Sequence, residues 1–238
     1  KSVLILINWD NATSKTYLEK PDKVFTWGKQ TSALSKSLHG INSTEIGSPR
    51  YEVYRNNILF NKVDLKQKYN LDSKLEYILY AGASFPFDDV KVLNQLSKII
   101  SNKYKSKYRI IYRPHPNAWF KNDSEKNSYY NSVVIDDPIK DHSDNIFKKF
   151  RDLHKLSCAL ISPYSTMAVE SLMNGNPILL IGIDYNKFFR WEHNSKIAPH
   201  LQILKNKDCV IHCHSLNNID VLFEKLIRLS KEKSTKIK

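Results

Sequence analysis

The apolar residues of this chain fall in short blocks separated by longer polar segments. Val3-Leu4-Ile5-Leu6-Ile7 is a continuous apolar run, the pattern of a parallel strand covered on both faces. It is expected to be a central strand that delivers Asn8-Trp9-Asp10-Asn11 at its carboxyl end, where open α/β sheets place their ligands. A run of this kind so close to Lys1 also suggests a sequence cut from a longer chain. Lys23 to Trp27 predicts a second, shorter strand, and Gly28 to His39 an amphipathic helix stopped by Gly40. Thr44 to Arg50 predicts a third short strand running into a turn. Tyr51 to Ser73 is polar, with a helix expected over 64–70, and reads as the crossing to a second unit.

From Leu75 the alternation of strand and helix is regular. Strands are expected at Leu75–Tyr80, Tyr108–Tyr112, Ser132–Asp136, Cys158–Ile161, near Ile178–Ile181, and at Cys209–His212. Helices are expected at Asp88–Lys103, Ile146–Leu156, just after Thr166, and at Asn218–Lys231, the last with Val221, Leu222, Leu226, Ile227 and Leu229 on its apolar side. The pattern predicts an α/β fold: a Rossmann-like parallel sheet with helices on both faces. The division is set at 1–55, the end of an amino-terminal α/β unit, and 56–238, a complete Rossmann-like unit. The aromatic and basic segment from Asp184 to Trp191 suits either a pocket lining or a packed loop.

Composition changes this picture little. Lys+Arg 37 against Asp+Glu 24 gives a net charge of +13 over 238 residues, which favours an anionic neighbour: nucleic acid, an acidic membrane surface, or a nucleotide substrate. Codon bias accounts for scattered lysines equally well. Cys158, Cys209 and Cys213 form no CxxC pair, so a reducing compartment fits better than a disulfide framework. In His212-Cys213-His214 a strand would point Cys213 away from the two histidines, and no further ligand cluster accompanies them. No metal or cofactor is expected. No apolar segment reaches the length of a membrane span.

The candidate chemistry sits at predicted strand ends. Gly82 and Ser84 lie in a small-residue loop that permits close backbone approach to a ligand. In Arg113-Pro114-His115-Pro116 two prolines restrict the backbone and hold Arg113 and His115 just past a strand, where Arg can fork onto phosphate oxygens and His can shuttle a proton. Ser165 or Thr166 precedes a short helix, either as a plain cap or as part of an anion site. Glu170 follows Thr166 by about one helical turn, on the face above the same turn.

Taken in order, Trp27-Gly28, Gly47-Ser48-Pro49-Arg50, Arg113-Pro114-His115-Pro116, Ser165-Thr166 with Glu170, and Gly175-Asn176-Pro177 resemble the carboxyl-terminal nucleotide-binding half of GT-B glycosyltransferases. The resemblance is to bacterial surface-polysaccharide enzymes near the CDP-glycerol glycerophosphotransferases and capsule Kdo transferases. It implies a nucleotide-activated sugar donor as substrate and a glycan or lipid-linked acceptor. It further implies a cytoplasmic setting, with peripheral contact to the anionic inner face of the membrane. On the same basis Arg113 and His115 would contact the donor's phosphates, and Ser165 and Thr166 would hold a phosphate at the helix start. Glu170 would take the ribose hydroxyls, and Gly82 to Ser84 would line the diphosphate side. Asp10 would face the cleft from the acceptor side as a base, and His115 would serve in catalysis.

Three enzyme readings share this fold: sugar transfer, transfer of a glycerol- or ribitol-phosphate unit, and UDP-sugar 2-epimerisation. A basic nucleic-acid-binding module or a scaffold is the alternative from another class, but the chain carries no RRM, KH, helix-turn-helix or zinc-finger pattern.

Overall fold

The computed structural model describes residues 1–13, 19–54, 61–83, 87–105, 107–115, 132–136, 146–183 and 199–236. The chain divides into two compact units, Lys1–Ile58 with Asn194–Lys205, and Leu59–His193 with Asn206–Lys238. The return of a late segment to the first unit is a long-range contact that a linear reading of the chain does not contain.

In the first unit, β1 (Val3–Ile5), β2 (Lys23–Thr26) and β3 (Thr44–Glu45) form a parallel sheet in that order. Helix α1 (Lys29–His39) follows β2 and ends at Gly40, whose φ of 66° is the left-handed conformation that glycine reaches without Cβ strain. The expected central strand at Val3–Ile7 is corrected. β1 spans three residues at the edge of this sheet, and Val3, Ile5 and Ile7 are 57%, 46% and 59% exposed while Leu6 is buried. Among the described residues β1 pairs with β2 alone, so alternate side chains face outward.

The second unit is a six-stranded, all-parallel sheet in the order β6-β5-β4-β7-β8-β9. Its strands are β4 (Glu76–Ala81), β5 (Tyr108–Arg113), β6 (Val133–Ile135), β7 (Ser157–Pro163), β8 (Ile178–Ile181) and β9 (Val210–Cys213). The chain builds outward from β4 to β6 and then returns to the other side of β4 for β7, which is the doubly wound Rossmann order. β4 is therefore central, and Tyr77 to Ala81 are all buried. Helices α3 (Asp89–Ile99) and α6 (Ile219–Lys236) pack together, and α2 (Lys62–Lys68) packs with α4 (Ile146–Leu156), which also meets the short α5 (Met167–Met173). Ile78, Ile110, Ile161, Leu179 and Ile211 from the strands meet Leu93, Leu96, Phe223 and Leu226 from α3 and α6 in one core.

Two element details differ from expectation. The helix expected to Lys103 is α-helical only to Ile99, and Ile100–Tyr104 forms a wider π turn. On α6 Val221 is 62% exposed, while Phe223 is fully buried. Ile219, Phe223, Leu226, Ile227 and Ser230 make the buried stripe, a 3.6-residue period that begins two residues before Val221.

Candidate functional site

The order of the six strands reverses between β4 and β7, and in doubly wound sheets the ligand crevice opens beyond the carboxyl ends at that point. β4 runs out into Gly82-Ala83, β7 into Tyr164-Ser165-Thr166, and β5, on the other side of β4, into Pro114-His115. The Gly82 N–H donates to the Arg113 carbonyl at 2.9 Å, carrying the β4/β5 pairing into the loops. The fold thus brings Gly82, Arg113, His115, Ser165 and Thr166 to one edge of one sheet. Ser84 lies outside the described residues.

Gly82 is held by an acid that the sequence did not single out. A Cβ at this position would collide with Asp89 Oδ2 and lie 3.1 Å from a Tyr112 ring carbon. Asp89, in the first turn of α3, is 5% exposed. Its Oδ1 accepts the Tyr80 hydroxyl at 2.9 Å, and its Oδ2 accepts the Tyr112 hydroxyl and the Ala83 N–H, each at 3.2 Å. Burial raises its carboxyl to about 6 even though these three donors pull the other way. The loop after β4 is therefore tied to the sheet through a carboxylate, and only a residue without a side chain fits against it.

Arg113 and His115 differ in setting. Arg113 is 6% exposed, bonded through Nη1 to Asp136 at the end of β6, with its guanidinium 4.6 Å from the centre of the Phe150 ring on α4. Lys149 of α4 reaches the other oxygen of Asp136 at 2.6 Å. The arginine is thus built into the sheet edge by a charge pair and an aromatic face, an enclosed position rather than the open strand-end position that the proline pair suggested. His115 is partly buried, and that burial lowers its pKa below the usual 6.5.

Thr166 occupies the N-cap position of α5 with helical φ and ψ, and no side chain caps the helix. The plain-cap reading of Ser165-Thr166 therefore does not describe what is seen. Ser162 Oγ donates its one hydrogen to the Pro163 carbonyl at 2.6 Å and so accepts from Ser165 Oγ at 3.0 Å. The Ser165 proton is thereby directed inward, and Thr166 offers the hydroxyl of this turn that makes no hydrogen bond among the described residues.

Glu170 lies on α5 as its spacing implied, but it is 1% exposed. Its Oε2 is 3.7 Å from Nε2 of His154, a fully buried residue in the last turn of α4. Asn176 Nδ2 donates to the His154 carbonyl at 2.7 Å. Gly175, at a φ of 65°, turns the chain from α5 toward β8. His154, Asp136, Phe150 and Asp89 are the residues that sequence reasoning missed. Only Asp89 carried a local signal, as one of a pair of acids at a helix start.

Asp10 belongs to the first unit, in the 3-10 turn Trp9–Thr13, where it is exposed. In the His212-Cys213-His214 run Cys213 is buried while the two imidazoles lie nearly parallel, 10° apart, with centres separated by 6.1 Å. Among the described residues no group of three or more His, Cys, Asp or Glu is placed to hold a metal ion. No described helix is long and apolar enough to cross a membrane.

No protein-family profile matches the sequence, and no curated protein matches it. Solved structures do match. The wall teichoic acid polymerase TagF is 16% identical, with 91% of this chain covering 51% of that one at a TM-score of 0.59. WaaG, a glycosyltransferase involved in lipopolysaccharide biosynthesis, is 14% identical, with 90% of this chain covering 56% of that one at a TM-score of 0.51. The chain thus spans about half the length of each. At these identities the likeness establishes the fold: the Rossmann-like α/β architecture is shared with transferases of surface-polymer synthesis.

Proposed function

We propose that this chain is the donor-binding portion of a glycosyltransferase that moves a sugar from a nucleotide-activated donor to a surface polymer. The observation that carries the reading is the Ser165-Thr166 turn at the strand-order reversal. It sits at a helix start that no side chain caps, beside the small Gly82-Ala83 turn of the central strand. A departing phosphate needs hydrogen-bond donors already aimed where its charge develops. The Thr166 hydroxyl and the backbone of the two turns supply them. His115 enters as a neutral imidazole near pH 7, since burial lowers its pKa; an adjacent phosphate would favour its protonated form. Glu170 takes the ribose hydroxyls, with His154 Nε2 lying 3.7 Å from its Oε2. Arg113 adds positive charge at the same edge from its enclosed position.

A second reading, transfer of a glycerol- or ribitol-phosphate unit, is favoured by the higher TM-score with TagF, a form of which was soaked with CDPG. The two readings share the donor's nucleotide and differ in what leaves with it.

Calorimetric titration of the chain with CDP and UDP tests the shared part. At least one is expected to bind, and Thr166→Val to weaken it about tenfold, the effect of one hydrogen bond to a charged oxygen. Ser165→Ala is expected to weaken it less, because the Ser165 proton already points to Ser162. Absence of binding, or binding that neither substitution changes, would remove the assignment.

A further inference from the structure

The three hydrogen-bond donors that hold Asp89 are not equally fixed. Tyr80 and Tyr112 pair directly across β4 and β5, and their rings meet edge to face with centres 5.5 Å apart. Both side chains are buried, and their hydroxyls reach the carboxylate at 2.9 and 3.2 Å, so neither can leave without unpacking the core. The third donor is on a turn. The Ala83 N–H is divided between the two oxygens, at 3.2 Å from Oδ2 and 3.4 Å from Oδ1, beyond the usual range for such bonds on one side and at its long end on the other. The Gly82 N–H is already committed to the Arg113 carbonyl. Of the two N–H groups in the described part of this turn, that of Ala83 is the loosely held one.

The carboxyl also stands where a small push changes its charge. Burial raises it to about 6 against the pull of the three donors, and the charge of Asp88 at the start of α3 adds to the rise. The described titratable groups that face it are Tyr80 on β4, Tyr112 on β5 and Asp88. Burial holds the Tyr80 hydroxyl well above its usual 10.0, so that group keeps its hydrogen and remains a donor throughout. Losing the Ala83 N–H, or gaining an anion alongside, favours the neutral acid. Once protonated, Asp89 can give its new O–H to a tyrosine hydroxyl oxygen, which accepts as well as donates.

We propose that Asp89 and the nucleotide's phosphate compete for the Ala83 N–H, so that a nucleotide diphosphate at the end of β4 binds together with a proton on the Asp89 carboxyl. The proposal rests on the nucleotide-binding reading above, which places phosphate at the Gly82-Ala83 turn. Before binding, at neutral pH, the ionised carboxylate holds the turn through this N–H. On binding, the N–H turns to a phosphate oxygen and the carboxylate takes a proton from solvent. Two negative charges are thereby kept from facing each other across one turn. The contribution of Asp89 to affinity is therefore greatest below about pH 6 and declines as pH rises above it.

Asp89→Asn is the informative variant, because it keeps the shape and an acceptor for Tyr80 but cannot titrate. Without nucleotide, the wild-type Ala83 amide shift is expected to follow pH with a midpoint near 6, and that of the variant to stay level. In calorimetric titrations with CDP and UDP, run in two phosphate-free buffers of different ionisation enthalpy, the wild type is expected to take up more proton than the variant. The ratio of wild-type to variant affinity is expected to rise about fivefold from pH 7.5 to pH 5.5, as follows if binding raises the carboxyl pKa by about one. His115 and the nucleotide's own phosphate titrate in both proteins, so the difference reports Asp89. Tyr112→Phe removes one donor from the carboxylate and is expected to move the Ala83 midpoint upward, which keeps the test open if Asp89→Asn does not fold. A wild-type Ala83 amide that does not titrate between pH 5 and pH 7.5 overturns the proposal. So does nucleotide binding with the same proton uptake and pH dependence in wild type and variant, which leaves the nucleotide-binding reading standing. If neither CDP nor UDP binds, that reading fails and takes the coupling with it.

Discussion

At the scale of single residues, Asp89 shows how a site-forming group departs from the rest of the core. Its carboxyl is raised to about 6 from 3.8 because it is buried, so in this pH range the unfolded chain gives up the proton more readily than the folded one. The group therefore favours the folded state most below about pH 4, and that contribution is lost as pH rises through about 6. A shift of this size corresponds to about 3 kcal/mol. Urea denaturation at pH 4, 5, 6 and 7 checks it. The stability difference between wild type and Asp89→Asn should move in favour of the variant as pH rises across this window; a difference constant with pH would show that Asp89 does not titrate there. A charge kept where it lowers stability at neutral pH is a common mark of a working site, and here it ties down the loop after the central strand. The acid pair at the helix start marked Asp89 locally but not its burial or its donors, because Tyr80 and Tyr112 are brought to it by the pairing of β4 with β5.

At the scale of elements, α4 supports the site from behind. Phe150 and Lys149 fix the Arg113–Asp136 pair, and one turn later His154 meets Glu170. Removing one member of a buried acid–base pair strands the other, whereas replacing both with apolar groups of similar size is far milder. His154→Leu is therefore expected to lower stability by on the order of 3 kcal/mol, and His154→Leu with Glu170→Met to recover much of that loss. Denaturant midpoints of the two variants measure it. Equal destabilisation by the single and double variants would show that the pair does not act as a unit. The helix itself was legible in the sequence, since Ile146–Leu156 carries a strong amphipathic period and forms over those residues. The side chain that it presents to Glu170 was not, because helical periodicity marks His154 as interior without identifying its partner. The reverse error occurred at β1, where a continuous apolar run signalled burial on both faces. That inference depends on neighbours, and among the described residues β1 has one strand beside it.

At the scale of the whole molecule, the regular alternation from Leu75 onward was enough to give a doubly wound sheet, and the strand order locates the crevice where β4 and β7 diverge. Of the residues singled out by motif, Gly82, Arg113, His115, Ser165 and Thr166 converge on that edge because their loops follow parallel strands. Their directions were harder to foresee: Arg113 and Glu170 are enclosed, and the Ser165 proton turns inward. The return of His200 to the first unit joins residues too distant in the chain for any local pattern to connect. The net charge of +13 suits an anionic substrate without choosing among substrates. The central claim is that a nucleotide diphosphate seats at the β4/β7 divergence. Backbone amide shifts of the isotope-labelled chain, followed while CDP or UDP is added, test it most directly. Saturable changes centred on Gly82, Ala83, Ser165, Thr166 and Met167 are predicted; saturable binding that leaves these amides unmoved, or no binding at all, would contradict the account.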